Sequence, residues 1–509
     1  MFAKVSSLGI RGIDGFEVSV EVDISGGLPK FEIVGLPDAA VKESKERVRS
    51  AIKNSGFTYP VSRITVNLAP ADVKKEGPIY DLPILVGIML AGGDILRIPE
   101  NSAFIGALSL NGEISPINGV LPMAIKAREA GYDNIFIPYD NAAECRIIEG
   151  INAYPVKNVK ELCDFFAGSG ELSPVKTQKY NPNIEQKHTE DFSDVKGQFE
   201  ARRALEIAAA GGHNVLMVGA PGTGKSMLAK RLPSILPNMT FDEAIETTKI
   251  HSIAGELAAD TDILHNRPFR APHHTISPAG LSGGGSVIKP GEISLAHNGV
   301  LFLDELLEFT RQSMEILRQP IEDGKITISR VSATVTYPSR FMAIAAMNPC
   351  KCGYYGHPTK QCTCPPHAAE KYISKISYPL LDRFDIHIDV QPIEYDDLSS
   401  KEKGECSADI KKRVDKARCR QLERFKNLGI TCNAQMSPSQ TRKFCVLSEE
   451  AESSLRLAFE KLGLSARAYD KVLRVAKTIA DLDESDIIEQ KHIFEAVQYR
   501  SLDRKYWRK

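Results

Sequence analysis

The run Gly219-Ala220-Pro221-Gly222-Thr223-Gly224-Lys225-Ser226 has the residue types and spacing that suit phosphate chemistry. Three glycines let successive backbone N–H groups converge on phosphate oxygens, and a following helix adds the positive end of its dipole. Lys225 can then reach β- and γ-phosphates, and the Ser226 hydroxyl can ligate Mg²⁺. Such a loop works only between a strand and a helix. The apolar run Val215-Leu216-Met217-Val218 predicts the strand, and Met227 to Leu232 predicts the helix. These residues point to binding of ATP with Mg²⁺.

Hydrolysis needs a second, acidic strand. Val300-Leu301-Phe302-Leu303 predicts one, and it ends in Asp304 and Glu305. Asp304 is the candidate for the Mg²⁺ shell, and Glu305 for polarising the attacking water. A third apolar run, Phe341 to Ala346, leads to Met347-Asn348-Pro349, where Asn348 can orient the same water. Together the three segments resemble the core of an AAA+ ATPase.

The 509 residues bound the rest. That length predicts roughly three domains. Hydrophobic residues make up 42%, charged residues 25%, and the formal net charge is −1. The protein is not a polycation, so nucleic-acid contact has to come from local patches. No apolar run is long enough to span a bilayer, and the start lacks a signal-peptide core. Ten cysteines without an export signal point to reduced thiols. A cytoplasmic location with no membrane partner is expected.

Residues 1–166 read as an α/β unit. Gly15 to Ile24 alternates as a half-buried strand, Asp38 to Ser55 reads as one amphipathic helix, and Arg63 to Leu68 as a strand. Asn111-Gly112 favours a two-residue hairpin. A helix over Val120 to Ala130 and a strand over Asn134 to Pro138 follow. Gly112 to Leu121 resembles the segment of Lon-type proteases that ends in the catalytic lysine. Here that position is Leu121, and Glu76-Gly77-Pro78-Ile79 puts isoleucine where the nucleophilic serine would stand. Neither side chain can attack a carbonyl or move a proton, so an inactive Lon-like scaffold is expected.

Residues 167–190 are polar and aperiodic, as a linker would be. A core over 191–395 opens with Asp194-Val195-Lys196-Gly197-Gln198, a pattern that AAA+ proteins place near the adenine. His273 and His274 are adjacent, so their side chains should point apart on any regular element; a structural or pore-loop role is favoured over metal binding. Cys350, Cys352, Cys362 and Cys364 form two Cys-x-Cys pairs across a nine-residue loop, in an insert over 350–364. They are either a tetrahedral Zn²⁺ site, with His357 or His367 as substitute ligands, or unpaired structural thiols. Lys411, Lys412, Arg413, Lys416, Arg418, Arg420 and Arg424 fall on one predicted helix, as a solvated face or a DNA patch. Residues 396–509 read as a helical lid.

The Arg267-to-His274 and Pro290-to-Leu306 runs, with the Lon-like N-terminus, resemble the YifB/ComM family of magnesium-chelatase-like AAA+ proteins over essentially the whole chain. The resemblance implies a homo-oligomer, a hexamer, that hydrolyses ATP and moves DNA by helicase or branch-migration action. The alternative is a chelatase- or MoxR-like ATPase remodelling a protein partner. Pro379 to Asp385 resembles the motif whose arginine, here Arg383, acts across a subunit boundary. By the same resemblance Arg467 is the lid arginine that senses the γ-phosphate, with Arg474 as runner-up. A hairpin with arms Lys325 to Ser329 and Ala333 to Tyr337 follows a helix over Ser313 to Pro320. MCM-type motors carry a basic residue at the matching tip, which here is Arg330, as a DNA contact.

Overall fold

The computed structural model describes residues 1–182, 189–285, 288–330, 334–357, 359–365, 367–393, 404–502 and 506–507. Two sheets organise them. The first is seven-stranded: β1 (Phe2–Arg11), β2 (Asp14–Ser25), β3 (Lys30–Val34), β4 (Arg63–Ala69), β5 (Ser102–Phe104), β8 (Asn134–Pro138) and β9 (Asn152–Val156), with β6 (Ala107–Leu108) and β7 (Ile114–Ser115) forming a separate small hairpin. The order is β3-β4-β2-β1-β5-β8-β9, with β1, β2 and β4 antiparallel and the other neighbours parallel.

Both faces of this sheet are covered. Helix Asp81–Gly92 is apolar all round and packs over β1 and β2, while helix Val120–Glu129 covers the other face. Two details depart from the sequence reading. The helix expected over Asp38 to Ser55 divides at Glu43 into Ala39–Lys42 and Ser44–Asn54, because Asp38 caps the first piece and Ser44 turns inward to bond buried Asp81. The Asn-Gly hairpin has a three-residue loop. Gly112 N–H bonds the Ser109 carbonyl, Ser109 N–H bonds the Glu113 carbonyl, and Gly112 takes φ +89. That is a turn followed by a left-handed residue, which glycine supplies without strain.

The second sheet is wholly parallel: β10 (Val215–Val218), β11 (Phe269–Arg270), β14 (Val300–Leu303), β17 (Met342–Met347) and β18 (Ile386–Asp389), in the order β11-β14-β17-β10-β18. Every residue of β10, β14 and β17 is buried. Their unbroken apolar runs are what a parallel sheet covered on both faces requires. Short β12 (Gly283–Gly284) and β13 (Lys289–Pro290) pair with each other, as do β15 (Lys325–Ser329) and β16 (Thr334–Pro338). The helix expected before β15 is two, Arg311–Ile316 and Arg318–Asp323.

A helical unit follows: Ser407–Arg424, Pro438–Phe444, Glu449–Leu462, Ala466–Leu482 and Gln490–Gln498. It shares one apolar core with the parallel sheet through helix Phe199–Gly211. The basic run on Ser407–Arg424 is neither a bare solvated face nor a free patch. Arg413 pairs Glu206 and Glu405, Arg418 donates to the Ala209 and Ala210 carbonyls, Lys416 meets Glu484, Arg420 meets Asp486, and Arg424 meets Asp481. Lys411 reaches the Leu236 carbonyl and Lys412 reaches Asp409. All but Lys412, whose partner lies on the same helix, tie the helix to its neighbours.

Residues 167–182 take no strand and, past the helix ending at Ala167, no helix, yet they are pinned. Val175 N–H bonds the Ala153 carbonyl, and Tyr180 Oη bonds the Met239 carbonyl. The first and second units also meet directly. Met239, Ala244 and Ile263 join the apolar cluster under helix Val120–Glu129, and Gly119 N–H bonds the Ser252 carbonyl. At that seam Glu144 is buried and accepts from Leu121 N–H, Asn141 and Ser252; burial pushes its carboxyl up despite those donors.

Candidate functional site

The glycine-rich loop leaves the carboxyl end of β10, the end where parallel sheets hold ligands. Gly219 passes so close to β18 that a Cβ there would lie 2.5 Å from the Val390 carbonyl oxygen. Gly224 takes φ +90 and starts helix Lys225–Arg231. Lys225 Nζ turns back to donate to the Gly219 and Ala220 carbonyls, each at 2.9 Å, and to Asn348 Oδ1 at 3.2 Å. Burial lowers its pKa to about 8, against the opposing field of Asp304. Gln198, in the segment expected beside adenine, donates to the Thr223 and Gln391 carbonyls.

The acidic strand lies two strands away and ends alongside. Ser226 Oγ donates to Asp304 Oδ2 at 2.7 Å, so the two oxygens expected to share a Mg²⁺ are already together. They fit that ion: a hydroxyl and a carboxylate, both hard oxygen donors, beside a phosphate cradle. Lys225, Asp304, Glu305 and Asn348 line one cavity of about 190 Å³, with Glu308, Lys351 and Tyr372. Glu305 takes φ +51, unusual for a residue with a Cβ.

Two of the residues that the sequence reading did not place at this site bear most on its chemistry. His274 Nδ1 lies 3.3 Å from Glu305 Oε2, and the His273 and His274 rings lie side by side, tilted by 33° with centroids 4.1 Å apart. They do not point apart, because the chain beyond β11 is irregular and the alternation of a strand does not govern it. Lys351 is the second. No motif marks Lys351, and His274 ends the Arg267-to-His274 run, which was not expected beside the acidic strand.

The arginines lie elsewhere. Ile386 pairs with Val215, the first residue of β10, and Asn214 Nδ2 bonds the Arg383 carbonyl. Arg383 therefore sits at the amino end of the strand whose carboxyl end carries Lys225. It lines a separate cleft of about 570 Å³ with Arg340, Arg467 and Arg474. Its guanidinium bonds the Pro379 carbonyl and Glu322. Arg467 is 69% exposed and 3.9 Å from Asp382 Oδ2, whereas Arg474 is committed to the Ala434 carbonyl at 2.8 Å. Neither lid arginine reaches the Lys225 cavity. The cleft is braced below by Asp385, which receives Asn214 N–H and meets Lys471 Nζ at 3.2 Å.

The sulfur atoms of Cys350, Cys352, Cys362 and Cys364 all lie within 4.8 Å of one another. His357 bonds Thr359 and Lys360 N–H groups, and His367 lies beside Glu370, so neither histidine joins the cluster. Arg330 is exposed at the end of β15, its Nη2 3.2 Å from where a Cβ on Gly284 would lie; Val331, Ser332 and Ala333 lie outside the described residues. Leu121 is fully buried and packs in one apolar cluster with partly buried Ile79.

No helix among the described residues is long and apolar enough to cross a membrane. Residues 191–398 match the family profile described as magnesium chelatase, subunit ChlI, residues 20–141 match subunit ChlI of Mg-chelatase, and residues 404–500 match the ChlI C-terminal profile. The chain is 44% identical to the YifB protein of Salmonella typhimurium, covering 99% of this chain and 97% of that one. It is 43% identical to the competence protein ComM of Haemophilus influenzae, covering 99% and 98%. It is also 32% identical to Lon protease 2 of Bacillus subtilis over 147 residues, 27% of this chain and 26% of that one. Similarity of that extent, joined to a phosphate loop and an acidic strand set side by side in a parallel sheet, shows that the chain belongs to the YifB/ComM family of magnesium-chelatase-like AAA+ ATPases.

Proposed function

We propose that this protein is an ATP-driven ring motor that acts on DNA. The observation that carries the ring is the placement of Lys225 and Arg383 at opposite ends of β10. A four-residue strand spans about 13 Å at about 3.3 Å per residue. Arg383 cannot reach the nucleotide on its own chain, so it serves the nucleotide of a neighbour, and Arg467 on the same cleft serves it too. A head-to-tail contact of this kind closes into a ring, here a hexamer.

Within one site Lys225 grips the β- and γ-phosphates, and Ser226 and Asp304 would hold Mg²⁺, which would neutralise phosphate charge. Glu305 takes a proton from water that Asn348 orients, and the neighbour's Arg383 steadies charge on the transferring phosphoryl group. DNA as the substrate is supported by the exposed arginine on the β15–β16 ribbon, one copy per subunit, and by the likeness to a competence protein. Branch migration of strands, in the cytoplasm, is the action this suggests. The Lon-like unit is a scaffold without peptidase activity, since Leu121 and Ile79 leave an apolar patch where the dyad would stand. The four thiols would hold Zn²⁺, which would tie their segment together; their sulfurs all lie within 4.8 Å of one another.

The test is ATP turnover with and without a four-way DNA junction. Wild type should be stimulated by the junction, Lys225→Ala should not bind ATP, and Glu305→Gln should bind it but turn over very slowly. Stimulation by a protein partner alone, with none by DNA, would replace the DNA motor with a protein-remodelling ATPase.

A further inference from the structure

We infer that the Cys350–Cys364 module is a metal-held wall of the nucleotide site: Lys351 is a second phosphate-binding cation, and Gly353 props the glycine-rich loop. The inference rests on the ATPase reading and adds what the metal does for it.

Three observations carry it. First, the module begins where β17 ends, one residue beyond Asn348-Pro349, so its position is set by the same strand that delivers Asn348 to the cavity. Second, Gly353 lies directly against the phosphate loop. It takes φ +84, and a Cβ there would fall 2.2 Å from Pro221 Cδ and 2.6 Å from Cγ. Only a glycine lets the backbone come so close to Pro221. Third, Lys351 stands between two of the four thiols and lines the cavity that holds Lys225, Asp304, Glu305 and Asn348. Its ammonium has no hydrogen-bond or ion-pair partner among the described residues, in contrast to Lys225, which has three.

Local bonds around His357 shape the tip of this segment, and none of its described residues lies in a helix or strand. Between Pro349 and the helix starting at Ala368, the described residues form turns alone. One hydrogen bond closes the first of them, from Gly353 N–H to the Cys350 carbonyl at 3.0 Å. Four thiolate bonds to one Zn²⁺ would fix this segment, as metal does in small domains that lack a core of their own. Fixing it does two things. It holds Gly353 on Pro221, which keeps the loop N–H groups aimed inward. It also holds Lys351 at the cavity, where the charge of a triphosphate exceeds what Lys225 alone can meet. The carboxylates there do not compete for Lys351. Asp304 is engaged by Ser226, Glu305 by His274, and Glu308 accepts from Tyr372 Oη at 2.9 Å.

The experiment uses the full chain purified without chelator, and reads zinc by elemental analysis and ATP and ADP affinity by calorimetry with Mg²⁺. Wild type should carry about one zinc per chain. Lys351→Ala should keep its zinc and lose about tenfold in ATP affinity, the worth of a charge-assisted hydrogen bond, and Lys351→Arg should regain most of it. Gly353→Ala should keep zinc and weaken ATP and ADP alike. Cys362→Ser should lose zinc together with at least the ATP affinity lost in Lys351→Ala. Wild-type protein that binds ATP but holds no metal overturns the wall, as does normal ATP affinity in Lys351→Ala, whether or not Cys362→Ser folds. Wild-type protein that binds no ATP removes the ATPase reading itself and this inference with it.

Discussion

His274 and Glu305 meet beside the nucleotide cavity, Nδ1 of one 3.3 Å from Oε2 of the other. The imidazole holds a carboxylate whose backbone is already in the sparsely populated left-handed region. In this arrangement one carboxylate oxygen faces the imidazole. His274→Ala should therefore raise basal ATP turnover severalfold while leaving ATP affinity unchanged. Steady-state kinetics decide it; a fall in turnover would mean that the contact aims Glu305 rather than restraining it.

Lys225 gives the site a pH dependence. Burial brings its pKa to about 8, against opposition from Asp304. Phosphates favour the charged form, so binding above pH 8 must take up a proton. ATP affinity should be flat below pH 8 and fall by up to tenfold per unit above it. For folding the sign is opposite in sense. The unfolded lysine keeps its proton to a higher pH, so the cost of burying the charge is full below pH 8 and eases as pH rises. Calorimetry in buffers of different ionisation enthalpy would show the proton, and its absence at pH 9 would rule out this coupling.

On the ring reading, Arg383 and Lys225 of one chain serve different ATP sites. Arg383→Ala should bind ATP and lose about 10³ in turnover, the scale of an arginine acting in trans. Mixed with Lys225→Ala chains it should recover part of the activity, because some interfaces then combine an intact loop with an intact arginine. Co-assembled mixtures with no recovered turnover would contradict a shared site. Arg467→Ala should behave as Arg383→Ala does.

The brace beneath that cleft should matter for stability. Asp385 is buried; burial pushes its carboxyl up, but Lys471, His213 and Arg474 outweigh that and hold it well below the ordinary carboxylate value. Lys471→Met leaves a buried carboxylate without its ion-pair partner and should cost about 3–5 kcal/mol. In wild type the stabilisation by this carboxylate is present above pH 4 and lost as the pH falls further, since the unfolded group protonates first. Urea unfolding at pH 7 measures the first effect. A cost below 1 kcal/mol would mean that Asp385 finds its compensation elsewhere.

Arg330→Ala should leave basal turnover and assembly intact while DNA-stimulated turnover falls sharply. One fewer phosphate contact per subunit should also flatten the salt dependence of DNA binding. Binding isotherms at several salt concentrations test it; an unchanged slope would move the grip elsewhere.

What could be read from the chain alone were features confined to one segment. The strand boundaries Asn134–Pro138, Val215–Val218 and Lys325–Ser329 are those the apolar and β-branched runs predict. The phosphate loop and Asp304-Glu305 stood out for the same reason. Features made by distant residues did not. Ser44 reaching Asp81 breaks a helix that periodicity draws as continuous. His274 acquires meaning only when β11 and β14 pair, and Lys351 only when β17 delivers it beside Lys225. Arg383 is singled out by a motif in its own segment, but its distance from the Lys225 cavity follows from how β18 pairs with β10, which no local pattern encodes.

The seam at Glu144 has a consequence for how the protein can be divided. Met239, Ala244 and Ile263 belong to the second unit by sequence and to the first by packing. A chain shortened to begin at residue 191 would leave those three apolar side chains facing water and strip Ser252 of the carboxylate it bonds. The first 166 residues, expressed alone, would carry the matching scar, with Glu144 losing one of its donors. The two units are therefore not interchangeable parts. Each is finished by the other, and a swap between relatives would have to carry helix Phe241–Ala254 along with residues 117–145.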